Sequence, residues 1–335
     1  MTPAELQALT RRLRQHPGLR GKEEIQAPAR TFPPLPFPDL GAAAALGDDA
    51  ALLPGVSGPL LLAAEGLDPQ LVEEDPWFAG WSAVLVNLSD IAAMGGTPLA
   101  LVNSLWATGA VHAEPLLAGM RFACDKFAVP MVGGHTNLHS PYNALSVAVL
   151  GSAPGPVLSA RAARPGDHCH LLVNTRGRFH RHYPFWDAAT EADPIRLRRH
   201  LALLVELAGA ALVHGAKDIS MGGLVGTAAM FAEAADCLLA LDLDRLQPPS
   251  GVDLEAWLTC FPSYGYLLAV EPSRSAALLE ATAGDADLLC CPIGRFEVGD
   301  AAVVLSAAGT QTRLWHHQEP LTGFGALDVP GPANL

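Results

Sequence analysis

The sequence lacks several features that define common protein classes. No apolar run reaches about 18 residues without a polar break, so we expect no membrane-spanning helix. Residues 1–5 contain neither a basic segment nor an apolar one, so we expect no secretory signal. Charged residues make up only 16% of the chain and hydrophobic residues 50%, which argues against disorder and favours a large core. A length of 335 residues suggests two domains or one large one.

Several functional signatures are also missing. The six cysteines show no C-x-x-C or zinc-finger spacing, so we expect reduced thiols in a cytoplasmic protein. The Walker, dinucleotide-binding and hydrolase Gly-x-Ser-x-Gly fingerprints are absent. A net charge of −13 argues against nucleic acid or an anionic membrane as partner. It does not argue against a nucleotide, whose charge is met locally by metal and backbone.

Three short stretches combine polar side chains with small residues in this apolar chain. They are GDDAA at 47–51, NLSDIAAMGG at 87–96 and GGHTN at 133–137. Glycine and alanine let backbone N–H groups approach an anion closely. Carboxylates beside such a wall suit Mg²⁺ bound to a polyphosphate. Together the three stretches predict a nucleotide site.

The second stretch closes a strong predicted helix, with Asp75 as N-cap, Pro76 at N1 and a glycine pair after its end. Asn87 and Asp90 are three residues apart, so their side chains lie next to each other on this helix. An acid flanked by alanines has little water to solvate it unless it meets a cation or donors. Asp90 is therefore the leading candidate for a metal ligand.

The acids in and after the first stretch give weaker evidence for a metal site. Asp48 and Asp49 enter a strand, where alternation points their side chains to opposite faces. One can then bind metal while the other caps backbone, or both belong to a polar turn. Glu65 follows a predicted strand at 60–64, and a solvated strand end is its alternative interpretation.

The third stretch is predicted to be a loop after a strand at 129–132. Gly133 and Gly134 would hold an anion there, and His135 and Thr136 would supply donors. A glycine-rich loop alone is a weak signal.

Residues 218–223 repeat this idea at a predicted strand-to-helix turn. Asp218 supplies an acid and Ser220 a hydroxyl, and Gly222 follows at a helix N-terminus, where the dipole favours phosphate. An ordinary N-cap by Ser220 explains the same residues about as well.

The run RGRFHRH at 176–182 is a basic island in an acidic chain. It either reaches an anionic substrate, through Arg178 and Arg181, or forms a solvated loop. His168 and His170 share a strand face nearby, but no further ligands have the spacing of a metal site. We therefore favour a structural interpretation for this histidine pair.

Strands alternate with helices in both halves, which predicts two α/β or α+β domains. Residues 1–38 form an N-terminal helix, with a Thr2/Glu5 capping box and Pro3 at N1, and a Pro-rich connector. The predicted domains cover 39–153 and 157–320, and 321–335 is a loose tail.

Five features, in their order along the chain, resemble motifs of the aminoimidazole ribonucleotide (AIR) synthetase-like superfamily. They are GDDAA, an acid after the next strand, VNLSDIAAMGG, GGHT and KDIS-x-GGL. That superfamily includes thiamine-monophosphate kinase, selenophosphate synthetase and the hydrogenase-maturation dehydratase. The similarity runs from about residue 40 to residue 300. Residues 217–220, 226–230 and 261–266 resemble its AIR synthase-related branch.

The resemblance implies a two-domain α/β (α+β) fold with a C-terminal α+β domain. Its N-terminal sheet joins that of a twin chain to form a barrel in a homodimer. It also implies ATP and Mg²⁺ as cofactors. The implied metal ligands are Asp48, Asp49, Glu65, Asp90 and Asp218. The implied nucleotide contacts are Asn87, Gly133, Gly134, Thr136, Ser220 and Gly222, with Lys22 as a stand-in phosphate contact.

The implied activity is transfer of the γ-phosphoryl group from ATP to an oxygen of an unidentified small molecule. His135 and Asp218 are assigned to catalysis, and Tyr264, Arg178 and Arg181 to the substrate. His135 and Met221 stand where the kinase pattern has acids, which makes thiamine-monophosphate kinase the alternative rather than the first hypothesis. The third hypothesis is a nucleotide-binding assembly subunit without turnover. No nucleic-acid or membrane partner is expected.

Overall fold

The computed structural model describes residues 1–22, 51–55, 58–316 and 318–325. The chain divides into two compact units. The first unit comprises Met1–Asp48, Leu158–Ala188 and Leu207–Leu335, and the second comprises Asp49–Val157 and Ala189–Glu206.

The helices and strands follow one another in both units. The helices are α1 (Pro3–Gln15), α2 (Pro17–Arg20), α3 (Pro69–Glu74), α4 (Pro76–Ala93), α5 (Ala110–Phe127), α6 (Pro194–Gly209), α7 (Gly223–Ala235), α8 (Leu254–Thr259) and α9 (Ser275–Thr282). The strands are β1 (Ala51–Gly55), β2 (Gly58–Gly66), β3 (Thr97–Trp106), β4 (Met131–Asn137), β5 (Ala144–Ser152), β6 (His168–Asn174), β7 (Arg178–Phe179), β8 (Phe185–Asp187), β9 (Gly215–Asp218), β10 (Leu238–Asp242), β11 (Phe261–Pro262), β12 (Gly265–Val270), β13 (Leu288–Glu297), β14 (Ala302–Ala307) and β15 (Thr310–His316).

The second unit is built on a five-stranded sheet in the order β1-β2-β5-β3-β4. Strands β3 and β4 are parallel, and the other neighbours are antiparallel. Leu145, Val147 and Val149 of β5 are buried on one face, because successive side chains of a strand point to opposite sides. Strand β4 lies at one edge of this sheet.

Helix α4 covers the buried face of this sheet. The capping interactions expected from the sequence are present at its C-terminus but not at its N-terminus. Asp75 occupies the N-cap position, but its side chain makes no capping hydrogen bond. The C-terminus matches the expected glycine stop: Gly95 has φ 70° and its N–H donates to Ala92, while the N–H of Gly96 donates to Ile91.

Helices α4 and α5 cross at two glycines. A Cβ at Gly80 would collide with the backbone of Leu116, and a Cβ at Gly119 would collide with the backbone of Trp77. The lack of a side chain at both positions therefore permits this close approach. Beside the crossing, the rings of Trp77 and Trp81 lie 6.4 Å apart.

The first unit is built on a seven-stranded sheet in the order β15-β14-β10-β13-β6-β12-β9, with a small three-stranded sheet β11-β8-β7. Helix α7 is buried along most of its length. Helix α1 begins with the expected Thr2/Glu5 capping box and buries Leu6, Leu9 and Leu13 in the core that also contains Trp315. The N-terminal helix is thus part of the same unit as the last strands.

Neither unit closes its sheet into a barrel within the described ranges. None of the described helices is both long and apolar enough to span a membrane.

Candidate functional site

Asn87 and Asp90 lie on the last turns of α4, inside the second unit. Asn87 has 0% of its surface exposed and Asp90 has 6%. The Asn87 amide nitrogen donates to the Ala83 carbonyl at 2.8 Å. Its Oδ1 atom is enclosed and accepts no hydrogen bond from any described residue. A buried acceptor without a donor costs about 1–3 kcal/mol, so a donor or cation from outside the described residues fits here.

The donor atoms of this pair are of a type that fits part of a magnesium site. An amide oxygen and a carboxylate are hard oxygen donors of the kind that Mg²⁺ prefers. Within the described part of the chain, no three His, Cys, Asp or Glu side chains converge into a metal cluster. Asp48 and Asp49 lie outside the described residues. The described side chains therefore fit a site in which Mg²⁺ also binds oxygens from outside them, such as those of phosphate.

The GGHT stretch is not the loop that the sequence predicts. Gly133–Thr136 lie within strand β4, which continues to Asn137 and pairs in parallel with β3. The loop is predicted because glycine is uncommon in strands. In the structure, β3 supplies the pairing partners for the backbone of this stretch. Because side chains alternate, His135 shares a sheet face with Ser104, its partner on β3, while Gly134 and Thr136 belong to the opposite face. One face of β4 therefore cannot present the whole motif to one phosphate.

Gly134 instead makes room for Asn103, which the sequence analysis missed. Gly134 has φ 149°, and a Cβ there would lie 2.5 Å from the Asn103 carbonyl oxygen and 2.8 Å from its amide nitrogen. The Oδ1 atom of Asn103 is also enclosed without a partner among the described residues. One sequence signal marks Asn103: it is a polar residue at a core-facing position of β3, between Leu101 and Leu105.

Glu65 lies on the same face as Asn103. The register aligns Glu65 with Val147, Val147 with Asn103, and Asn103 with Gly134 across four strands. Three strand spacings separate Glu65 from Gly134, or about 14 Å. The two residues therefore share a row of the sheet but cannot ligate one metal ion.

In the first unit, residues 218–223 form the expected strand-to-helix turn between β9 and α7. Its N-cap is Gly222, with φ 93°, and no side chain caps the helix. The alternative in which Ser220 is the N-cap is therefore wrong. The Ser220 hydroxyl accepts a hydrogen bond from Lys22 Nζ at 3.1 Å, and its N–H donates to Thr227 Oγ1 at 3.3 Å. Asp218 ends β9 in a buried position.

Lys22 reaches this turn because the N-terminal segment packs against it. A Cβ at Gly222 would lie 3.0 Å from the Gly18 carbonyl oxygen, so the two glycine backbones are in contact. The uncapped N–H groups of α7 and the Lys22 ammonium thus lie at one turn. Backbone donors, a helix dipole and a cation suit a phosphate group.

The three residues assigned to the substrate are not brought together on one surface. Tyr264 is 7% exposed, and its ring meets the edge of Tyr266 at 5.0 Å. Burial raises the pKa of the Tyr264 phenol well above its ordinary value. Arg178 lies on β7 and Arg181 in the following turn, and both are exposed. His168 and His170 do not form a metal site with each other: their Nδ1 and Nε2 atoms lie 2.8 and 3.1 Å from the Ser275 hydroxyl.

Comparison with known proteins identifies similar sequences over most of the chain. The AIR synthase related protein family matches in two parts, its N-terminal domain over residues 47–153 and its C-terminal domain over residues 162–306. An uncharacterized protein of Synechocystis is 43% identical over 313 residues, which are 93% of this chain and 96% of that protein. A thiamine-monophosphate kinase of Caulobacter vibrioides is 28% identical over 308 residues, which are 81% of this chain and 84% of the kinase.

The fold is also similar to a solved structure. Thermotoga maritima PurL complexed with ATP superposes with a TM-score of 0.71 at 18% identity and covers 97% of this chain. This chain spans about half of that PurL chain, 52% of its length. At this identity the similarity shows the two-domain fold of mixed α/β content. From the two matched domains and these relatives, the chain belongs to the AIR synthase related protein family.

Proposed function

We propose that this protein is an ATP- and Mg²⁺-dependent enzyme that transfers the γ-phosphoryl group to an oxygen of a small molecule. The observation that carries the proposal is the enclosed Asn87/Asp90 pair on α4, with an amide oxygen that lacks a donor among the described residues. The similarity to a thiamine-monophosphate kinase and to PurL complexed with ATP supports the same activity.

In this proposal, the second unit contributes Asp49, Glu65 and Asp90 as metal ligands, and its Asn87 orients the bound phosphates. Asp48 and Asp218 are the proposed metal ligands of the first unit. The register requires Glu65 and the β4 residues to contact different parts of the ligand. Bound Mg²⁺ supplies charge neutralisation to the transferring phosphoryl group.

The turn before α7 holds a phosphate in this proposal. Lys22 Nζ, the Ser220 hydroxyl and the backbone at Gly222 supply donors. Lys22 and Ser220 are already in contact, so these donors need little rearrangement before they bind an anion. We assign the proton transfer at the acceptor oxygen to His135 or Asp218, although the register places His135 on the sheet face opposite α4.

Thiamine-monophosphate kinase is the second candidate, because such kinases are 28% identical over most of this chain. His135 and Met221, in place of the expected acids, argue against it. Incubation with ATP and thiamine monophosphate, with detection of thiamine diphosphate, separates the two candidates. Binding of ATP without ADP release across a broad acceptor panel would instead favour a non-catalytic assembly subunit.

We also propose a homodimer in which the second unit's sheet joins that of a second copy to form a barrel. The face of the sheet opposite α4 exposes Leu62 (45%), Val102 (43%) and Leu150 (36%), whose register places them together. Apolar side chains side by side on an open sheet face are typical of a binding surface. Light scattering of the purified protein should give twice the chain mass, and a monomer would contradict the shared barrel.

The experiment that tests the proposed activity is an ADP-release assay across acceptor molecules with the wild type, Asp90→Asn and Asp125→Asn. Asp125 is an exposed acid of the same unit and provides the matched control. Turnover should be lost in Asp90→Asn alone. Unchanged turnover in that variant would refute the assignment of Asp90.

A further inference from the structure

A cavity of about 620 Å³ lies in the second unit, beside the C-terminal half of helix α5. The lining of this α5 cavity comes from α5, from the connection between α5 and β4, from the first residue of β4 and from Asn103 of β3. Small-molecule sites in proteins typically have volumes of about 300–1,000 Å³. No lining residue is a candidate ligand of ATP or Mg²⁺, so the α5 cavity is separate from the proposed nucleotide site.

Most of the lining is apolar. One face of α5 contributes side chains that are spaced three and four residues apart, which are Leu117, Met120, Arg121, Cys124 and Asp125. Val129, Pro130 and Met131 continue this lining beyond the helix. Met120 and Val129 are buried, whereas Leu117 is 42% exposed, so the apolar surface extends from the interior to solvent. Removing such a surface from water favours the binding of an apolar molecule.

The ionisable side chains of the lining leave it without net charge at neutral pH. Arg121 and Asp125 are its only residues with ordinarily charged side chains, and Arg121 Nε lies 3.8 Å from Asp125 Oδ2. Burial raises the pKa of the Cys124 thiol above its ordinary value, so this thiol stays neutral at pH 7. The α5 cavity therefore favours an uncharged ligand over an ion.

Asn103 gives the α5 cavity a polar group that lacks a hydrogen-bond donor. Its Oδ1 atom is enclosed and accepts no hydrogen bond from any described residue. A side chain at Gly134 would collide with the Asn103 amide, so glycine at this position lets the amide lie where it does. Rotation about the last side-chain bond of asparagine exchanges the amide oxygen and nitrogen, which can turn the oxygen towards a ligand. An N–H or O–H group of a bound molecule would then satisfy this acceptor.

We infer that the α5 cavity binds an uncharged, mainly apolar small molecule that donates one hydrogen bond to Asn103. The apolar lining contributes affinity, and the Asn103 amide oxygen selects molecules that carry an N–H or O–H donor. This inference does not rest on the proposed function, because it involves neither ATP nor Mg²⁺.

The test uses two uncharged probes of similar shape, indole and benzothiophene, titrated by ligand-observed NMR. Indole carries an N–H donor where benzothiophene has a sulfur atom. The wild type should bind indole roughly fivefold more tightly, because one hydrogen bond to an otherwise unpaired acceptor favours the donor. Equal affinity for the two probes, or no binding of either, would overturn the inference.

Two variants locate the binding site. Asn103→Leu has a side chain of similar size without the acceptor, so it should bind the two probes equally. Leu117→Asp adds a carboxylate to the apolar lining at an exposed position and should weaken both probes at least about fivefold. Glu280→Gln, at an exposed position of the first unit, is the control and should change neither affinity.

Either variant alone can contradict the inference. A preference for indole that survives Asn103→Leu would show that Asn103 does not select the ligand. Unchanged affinities in Leu117→Asp would place the probes outside the α5 cavity, even if Asn103→Leu failed to fold. Asp90→Asn should bind both probes as the wild type does, so a failure of the proposed nucleotide site would leave this result intact.

Discussion

The amide side chain of Asn103 occupies the space that a side chain at position 134 would need. Gly134→Ala should therefore lower the free energy of unfolding by about 2 kcal/mol, through positive φ and this clash. Asn103→Ala in the same chain should restore only part of the loss, because the Asn103 carbonyl oxygen would still lie 2.5 Å from the new Cβ. Urea unfolding measures both effects.

The neighbouring glycine provides the control for this prediction. A Cβ at Gly133 would meet only Val102 Cγ1 at 3.7 Å, which is ordinary contact. Gly133→Ala should therefore stay within about 1 kcal/mol of the wild type. Equal stability of the Gly133 and Gly134 variants would contradict the role assigned to Gly134.

His170 makes the stability of the first unit depend on pH. Burial lowers the pKa of its imidazole to about 4, from an ordinary value near 6.5. Unfolding therefore takes up a proton between pH 6.5 and pH 4, and the free energy of unfolding falls as the pH drops through this window. The loss from this group reaches up to about 3 kcal/mol. His168 and Ser275 are the polar groups that face the ring.

A His170→Gln variant isolates this contribution. Without the imidazole, the loss of stability on acidification should be smaller than in the wild type. The difference in unfolding free energy between the two proteins should therefore shrink from pH 7 to pH 4 in urea titrations. A difference that stays constant over this range would show that His170 is not held neutral by the fold.

At the scale of elements, Lys126 joins helix α5 to the segment before α6. Its ammonium donates to the carbonyl oxygens of Thr190 at 2.5 Å and Ala192 at 2.8 Å. It also lies 5.1 Å from the ring centroid of Phe122 and 5.6 Å from that of Trp81. One side chain thus satisfies backbone acceptors in a segment distant in sequence.

Lys126→Met keeps the aliphatic stem but removes the donors. It should lower the free energy of unfolding by about 2 kcal/mol, because hydrogen bonds to charged groups are strong and the carbonyls lose their partner. Arg121→Ala removes only an exposed ion pair with Asp125 and should cost less than about 1 kcal/mol. Equal losses in urea unfolding would show that the Lys126 bonds contribute nothing beyond an exposed charge.

The sequence predicts elements well where the signal is local. The Thr2/Glu5 capping box and the Gly95 stop depend on neighbouring residues, and both are present in the structure. Gly133–Gly134 misled the prediction because their backbone conformation depends on pairing with a distant strand. Ser220 misled it for a similar reason, since Lys22, almost 200 residues away, engages its hydroxyl.

At the scale of the whole molecule, the chain order does not reveal which segments fold together. Helix α1 packs in the unit that contains β14 and β15, and Gly18 contacts Gly222. The packing of α1 joins the two ends of the sequence, and Gly18 and Gly222 are also far apart along the chain, so no local pattern encodes these contacts. The alternation of helices and strands predicts two α/β units but not that the first unit includes the N-terminal segment.

The same limit applies to the candidate site. Asn87 and Asp90 follow from helical spacing, and the structure encloses both. Asn103 and the contact between Lys22 and Ser220 depend on tertiary packing. The family motifs identify the candidate residues, whereas the arrangement of these residues depends on the fold.

The most direct test of the account is titration calorimetry with a non-hydrolysable ATP analogue, with and without Mg²⁺. It compares the wild type, Asp90→Asn and the exposed control Asp125→Asn. The account predicts Mg²⁺-dependent binding in the wild type and the control, and binding at least about tenfold weaker in a folded Asp90→Asn protein. Absence of binding in the wild type, or unchanged binding in Asp90→Asn, would contradict the nucleotide site proposed on α4.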